Sequence, residues 1–446
     1  MGPGTELARE VRRLAAPAIL HSLLQTLVFV VDRIMLGRHG ESSLAAMQIG
    51  GALEWSIWSV FAAFEVGTLA RVGRHVGAGD RPGARRAVWL SLAIAGVMGC
   101  VVAVATPLVL VLLPTISHGV SGAALGEARG YLGVTIAATP FVFVAATSTA
   151  SLQAGGDTRT PRAIGILANL VHIGLNRVLI LGLGAIPALG ARGAGISTAI
   201  TFAIEAVLAT LALTQRSRAV CLRGDAFGER SVVLAELRSL VRIGGPAFLE
   251  RVLYHCGFIV YAFSVTRLGD AATAANQSLI SVESICFLSA DGFGIAASAL
   301  VAQKLGARKP AEARQAAFIG MRYAALALTC FGVVAFLARD LVLPVFSADP
   351  RVLAIGRSTL PVLMVAQPFM GIAIVLAQSL RGAGRTKSAL AVSFTGAVFV
   401  RLAATWFFAF HLGLGLVGIW MGSTTDWIVR VGILGVLFRR PLSDTD

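Results

Sequence analysis

The sequence predicts an all-α integral membrane protein of twelve transmembrane helices. Composition, the length of its apolar runs and the placement of its charge carry that reading. Of 446 residues, 56% are hydrophobic and 14% charged, with a mean hydropathy of +0.79. Apolar runs of about 20 residues recur along the chain, each long enough to cross a hydrocarbon layer of about 30 Å. Backbone amides in that layer need internal partners, which leaves helices or closed barrels. The runs are continuous and rich in Ala, Leu, Val and Ile, without the weak alternation of barrel strands.

Twelve spans are expected, at residues 14–36, 44–70, 87–113, 130–152, 163–184, 193–214, 243–266, 271–302, 323–346, 358–380, 389–411 and 414–437. The first is too long for a signal peptide, has no small-residue cleavage pattern and runs on into a second span. A net charge of +15 in a soluble protein would suggest nucleic acid. Here, 26 of the 38 Lys and Arg residues fall in the N-terminal tail, the even-numbered loops and the C-terminal tail, against seven in the odd-numbered loops. That alternation is the positive-inside pattern of a chain with both termini cytoplasmic, and it makes the bilayer the basic residues' partner. No basic stripe is interleaved with aromatics, so no nucleic-acid partner is expected. The five cysteines and seven histidines show no disulfide or metal-ligand spacing.

The chain repeats itself. Pro17 lies over Pro246, and at the same offset of 229 residues AAMQ from Ala45 lies over AANQ from Ala274, Glu54 over Glu283, and VGAGDRPGARRA from Val76 over LGARKPAEARQA from Leu305. LQAGGDTRTP (Leu152–Pro161) is echoed by LRGAGRTKSA (Leu380–Ala389), and GAGI from Gly193 by LVGI from Leu416. Six spans repeat as a unit. Because six is even, both copies enter from the same side, as in parallel-repeat secondary transporters. The expected division is an N-terminal lobe at 1–214, a cytoplasmic linker at 215–240 and a C-terminal lobe at 241–446.

Two glycine motifs invite a nucleotide reading and fail it. LRGAGRTKSA lacks the Gly-Lys-Ser/Thr ending and the preceding strand of a phosphate loop, and its first copy lacks the lysine. It reads as a tight turn. In the first copy Gly155 and Gly156 bend the chain, Thr160 caps the next helix and Pro161 occupies its first turn. GLGLVG (Gly413–Gly418) opens the last span with no strand before it. Without a nucleotide site, transport would be driven by an ion gradient or run downhill.

Together these stretches resemble the multidrug and toxic compound extrusion (MATE) family. Pro17, VDRIMLGRHG (Val31–Gly40) followed by LAAMQ, VGAGD, LQAGGDTRTP and LANLVHIGLN carry the likeness in the first half, and GGPAFLE, LGDAATAANQ and SLRGAG in the second. The resemblance covers essentially the whole chain in order. It implies two pseudo-symmetric six-helix lobes around a central cavity, alternating access, and export of mostly cationic amphipathic compounds in exchange for H⁺ or Na⁺. No other cofactor is implied, no enzyme activity is expected, and the chain is expected to act as a monomer in the inner membrane.

Ionisable groups inside a membrane are costly and mark function by default. Asp32 in the first span is the leading ion-coupling residue, a role that the resemblance also implies; an ion pair with Arg33 is the alternative. Asn169, His172 and Asn176 form one stripe of the fifth span and could bond to Asp32 or to substrate, or join helices. Some family members carry an acid where Asn176 stands, which weakens a two-carboxylate proton site here. In the second lobe Glu250, Tyr254 and Gln367 are the candidates. The sodium-coupled branch has a glutamate where Tyr254 aligns and an aspartate where Met370 aligns, so its site is not reproduced and protons are favoured. Glu250 could equally pair with a basic residue on another helix. Glu54, Glu65, Glu283 and Asp291 are candidates for lining the cavity, and Pro17 and Pro246 for bending their helices.

The runner-up functions are a carrier of lipid-linked or polysaccharide cargo and a Na⁺-coupled drug antiporter. The intramembrane acids, Glu205 and Asp426 among them, outnumber the five span arginines, which favours cationic cargo. A membrane-embedded hydrolase or transferase would need a nucleophile or metal grouping that the spacing does not supply.

Overall fold

Helix follows helix from one end of the chain to the other in the computed structural model, which describes residues 3–116, 121–184, 186–347, 349–439 and 442. The first repeat contains α1 (Pro3–His39), α2 (Glu41–Gly77), α3 (Arg81–Val104), α4 (Thr106–Ile116), α5 (Gly122–Ala137), α6 (Thr139–Ala154), α7 (Arg159–Leu179) and α8 (Gly190–Leu213). The second contains α9 (Arg230–Thr266), α10 (Asp270–Gly306), α11 (Pro310–Leu337), the short α12 (Arg339–Val342), α13 (Pro350–Gly382), α14 (Thr386–Phe394), α15 (Arg401–Thr405) and α16 (Gly415–Leu437). π-helical turns at Thr395–Val400 and Trp406–His411 flank α15, so 386–411 is one continuous span.

Six of these helices are long and apolar enough to cross a membrane by themselves, and α5 with α6 makes a seventh, bent by 51°. The other five expected spans are α1, α2, α7, α9 and α16. They carry Asp32, Glu54 and Glu65, His172, Glu250 and Asp426. Three expected spans need correction. The third is interrupted at Ala105, where Pro107 has no N–H to continue the ladder. The fourth bends at Ala138 for the same reason, with Pro140 in the first turn of α6. The ninth was expected at 323–346, but its helix runs from Pro310 to Leu337. Its apolar window starts within a longer helix whose first turns carry Glu312 and Arg314, and Arg339 and Asp340 lie just past its end.

Contacts divide the chain into two compact units. One holds Leu20–Arg242; the other holds the residues up to Ile19 together with those from Ile243 onward. In the first, Leu36, Met47, Tyr131, Leu132 and Ile180 form a buried cluster. In the second, Met370, Leu376, Trp427, Leu434 and Phe438 do so, and Leu7, Val11 and Leu14 of α1 pack with Ala296, Leu300 and Ala316. Lipid tails are as apolar as these side chains, so close packing rather than escape from water holds them together. Glycine supplies that closeness where helices touch. A methyl on Gly396 would collide with Asp426 and Arg430, and one on Gly418 or Gly422 with the chain at Ala409 or Thr405. Within GLGLVG, Gly418 packs in this way, while Gly413 and Gly415, at φ 68° and 55°, make the turn into α16.

The repeated turns are built alike. Gly156 and Gly384 take left-handed φ values of 85° and 80° at matching positions. Gly79 (φ 72°) is matched by Arg308 (φ 60°), the sole non-glycine among the described residues with positive φ. In LQAGGDTRTP the cap differs from the expectation. Asp157, not Thr160, accepts from the Thr160 amide at 3.0 Å, and α7 begins at Arg159. An aspartate two residues before the helix start reaches the free amides directly, and Thr160 bonds back to it at 2.8 Å.

Residues 215–229 are strapped to α3. Arg85 donates to the carbonyls of Cys221 and Asp225, Arg86 to Ala226 and the Trp89 indole to Leu222, at 2.8–3.2 Å. Glu236, in the first turns of α9 and outside the expected span, takes two hydrogen bonds from Arg71 and lies 3.2 Å from His75 Nε2. Burial pushes its carboxyl up, but hydrogen bonds and charge from Arg71 and His75 prevail and hold it at about 2.

Candidate functional site

The unit formed by Leu20–Arg242 contains a cavity of about 80 Å³. Helices α1, α2, α5, α6, α7 and α8 all contribute to its wall, and its ionisable residues are Asp32, Glu54, Tyr131, His172 and Glu205. No lysine or arginine is among the described residues that line it. Asp32 is 2% exposed, and its partners come from the stripe on α7. His172 Nε2 lies 2.7 Å from Asp32 Oδ1, and Asn176 Nδ2 donates to the same oxygen at 2.5 Å. The alternative partner, Arg33, is exposed at the neighbouring position. Asn169 lines the cavity one turn before His172.

The hydrogen bonds assign the histidine protons. Thr201 has one hydroxyl proton and donates it to the Ser197 carbonyl at 2.7 Å. Its oxygen therefore accepts from His172 Nδ1, 3.2 Å away, so Nδ1 carries a hydrogen. The short Nε2–Oδ1 contact then contains one further proton, held by either the carboxyl or an imidazolium. Without it a carboxylate oxygen would face a nitrogen lone pair. The contact sets a titratable ring nitrogen of α7 against a carboxyl oxygen of α1.

Glu54 also lines this cavity, where it accepts a hydrogen bond from the Tyr131 hydroxyl. Glu65 lies three turns further along α2 and is not part of the wall. Glu205 on α8 is in the wall. Among the acids with no motif around it, Glu205 was legible only as an isolated charge in a span.

The other unit holds a cavity of about 80 Å³ that includes Glu250, Arg251, Tyr254, Asp291, Arg381 and Arg430. Its acids are neutralised. Arg381 donates two hydrogen bonds to Glu250, and Ser393 Oγ a third at 2.5 Å. Asp291 accepts from Gln378 at 2.8 Å. Asp426, fully buried beside the cavity, is held by Arg430 at 2.6 and 2.9 Å and by Arg401 at 2.9 Å. The structure brings Glu250 and Tyr254 together in this wall, but not Gln367. Gln367 is fully buried in α13 and donates to its own helix at Leu363. Glu283 also lies outside the wall, and its main charged neighbour is Arg401. Asp426 and Arg430 are four residues apart on a helix, a spacing that could have revealed the pair; Arg381 and Ser393 gave no such signal.

Pro17 and Pro246 are both buried or half-buried inside helices that continue unbroken through them. The boundary between the contact units falls next to each, after Ile19 and after Arg242.

The MatE family model matches residues 17–178 and, a second time, residues 246–407. The chain belongs to the MATE family. The two matches are equal in length and separated by the repeat offset, so duplication and membership rest on the same residues. The MATE chain is 26% identical over 425 residues to the probable multidrug resistance protein NorM of Thermotoga maritima, covering 95% of this chain and 90% of that protein. It is 28% identical over 430 residues to the multidrug resistance protein PmpM of Pseudomonas aeruginosa, covering 94% and 84%. A solved outward-facing multidrug resistance MATE family transporter of the MOP superfamily superposes with a TM-score of 0.89 at 20% identity, covering 98% of each chain. The fold is therefore the all-helical, twelve-span MATE fold, and the protein is a multi-pass membrane transporter.

Proposed function

We propose that this transporter exports amphipathic organic cations, multidrug-like in range, in exchange for protons. Asp32, His172 and Asn176 carry the proton, with Asn169 beside them. The single observation that carries this reading is the buried Asp32–His172 contact, whose hydrogen-bonding pattern requires one proton between two titratable groups. Sodium coupling is the weaker reading because a sodium ion seeks several oxygen ligands, whereas Asp32 Oδ1 is met by two side-chain nitrogens. A lipid-phosphate cargo is disfavoured by a cavity with three acids and no basic residue other than His172. Glu250 acts structurally through Arg381 and Ser393, and Tyr254 and Asp291 line a second, charge-balanced cavity. We place both termini on the cytoplasmic side of the inner membrane, the monomer as the working unit, and 1–214 and 241–446 as lobes joined by 215–240. Access alternates as α1 and α9 flex near Pro17 and Pro246.

The test is purified protein in liposomes, with movement of a fluorescent organic cation followed under an imposed pH gradient and, separately, a Na⁺ gradient. Drive by the pH gradient and none by Na⁺ is expected. Drive by Na⁺ alone would overturn the proton assignment.

A further inference from the structure

Three carboxylates line the cavity of the Leu20–Arg242 unit, and they differ in what surrounds them. Asp32 is taken up by His172 and Asn176, and Glu54 by the Tyr131 hydroxyl. Glu205 has no hydrogen-bond or ion-pair partner among the described residues, although it sits on a span, α8, with Ala206 and Ala209 buried beside it. A membrane-embedded carboxylate without a partner is expensive to keep unless something arrives to pair with it.

The rest of the wall indicates what arrives. Trp55, Trp58, Phe143 and Phe202 share the cavity with Glu205, and the Trp55 and Trp58 rings lie 4.9 Å apart, inclined by 32°. Indole and phenyl faces attract cations and stack on flat rings. A bare metal ion would need several oxygens converging on it, and Glu205 makes no hydrogen bond to the hydroxyls of Thr198 and Thr201 that share its wall. The room inside is about 80 Å³, so a drug-sized ligand enters only as the wall opens.

We propose that Glu205 is the anchor for the positive nitrogen of a flat aromatic monocation bound in this cavity, while Asp32 keeps the proton. The choice of a cationic ligand rests on the reading of the protein as a cation-for-proton exporter. Glu205 belongs to no motif that carries the family resemblance, and its role follows from its being the unmatched acid in an aromatic wall. Asp32, His172 and Glu205 line the same cavity. A proton held between Asp32 and His172 adds positive charge to the wall that also holds Glu205, so proton and organic cation oppose each other within one lobe.

Equilibrium binding by the full chain in detergent, with no gradient, tests the anchor. The probes are ethidium and the neutral phenanthridinone, each followed by quenching of tryptophan fluorescence. Glu205→Gln is expected to weaken ethidium about tenfold or more and leave phenanthridinone unchanged. Glu205→Asp should restore most of the ethidium affinity. Glu205→Met carries the same expectation as the amide if that variant fails to fold. Unchanged ethidium affinity in both charge-removing variants would overturn the proposal, as would equal loss of both probes or no ethidium binding by the parent. Failure of the exporter reading would look different: no gradient-driven cation movement in liposomes, with the ethidium loss in Glu205→Gln still present.

Discussion

The two repeats each enclose a cavity of similar size, yet their charge is arranged in opposite ways. In the Leu20–Arg242 unit, Asp32, Glu54 and Glu205 face no lysine or arginine, and histidine, asparagine and tyrosine are the groups that meet the first two. In the other unit, Glu250 and Asp426 are held by Arg381, Arg401 and Arg430. Duplication copied the helices and their turns, but not this chemistry. Position for position, Glu54 and Glu283 are equivalent, yet only Glu54 reaches its cavity. A carboxylate met by a neutral or titratable partner can change its charge; one met by guanidinium is locked in it. On the proposed function, the difference separates a working lobe from a bracing lobe.

The strongest way to break that contrast is at Asp32. Asp32→Asn is expected to abolish export driven by a pH gradient while the protein still folds, because asparagine can bond to His172 but cannot lose a proton. Export at the parent rate, measured in liposomes, would move the coupling elsewhere. Next comes the locked pair. Glu250→Gln leaves Arg381 buried without its counter-charge and should cost about 3–5 kcal/mol of stability, read as a lowered thermal transition in detergent. The double variant Glu250→Gln with Arg381→Met should recover most of that loss and export normally. Lost export in a stable double variant would make Glu250 a coupling residue after all.

Gly396→Ala should cost about 1–3 kcal/mol, because its methyl would displace the Asp426–Arg430 pair; no thermal shift would mean that the pair has room to spare. The smallest effect is expected at the linker. The Glu236 carboxyl is depressed to about 2 when folded, below its ordinary value near 4.5. Its contribution is thus present above pH 4.5 and disappears as the pH falls through about 2. Glu236→Gln should lower stability by about 1–3 kcal/mol at neutral pH and flatten the acid limb of the stability curve. An acid limb identical to the parent's would remove Glu236 as its source.

Much of the fold was legible in the sequence because membrane helices declare themselves by length and loop charge. The repeat also foretold that matching turns would recur, as Gly156 and Gly384 do. What escaped were breaks that depend on a single proline, at Ala105 and Ala138, and the start of α11, which extends well past its apolar window. The stripe Asn169, His172 and Asn176 was readable because helical spacing is local, and the structure joins its last two members to Asp32. Partners far apart in the chain, with no local spacing to point at them, were not readable. Nothing near Glu250 names Arg381, and nothing near Glu54 names Tyr131. Glu205 was visible as a charge in a span but not as an unmatched one, since a missing partner can be recognised only after every neighbour is placed.

Proton release on ligand binding tests the central claim most directly. Ethidium is added to weakly buffered protein in detergent while a pH-sensitive dye records protons set free. The parent should release protons as ethidium binds, and Asp32→Asn should bind ethidium without releasing them. The same release from both proteins would contradict the assignment of the exchangeable proton to Asp32 and His172.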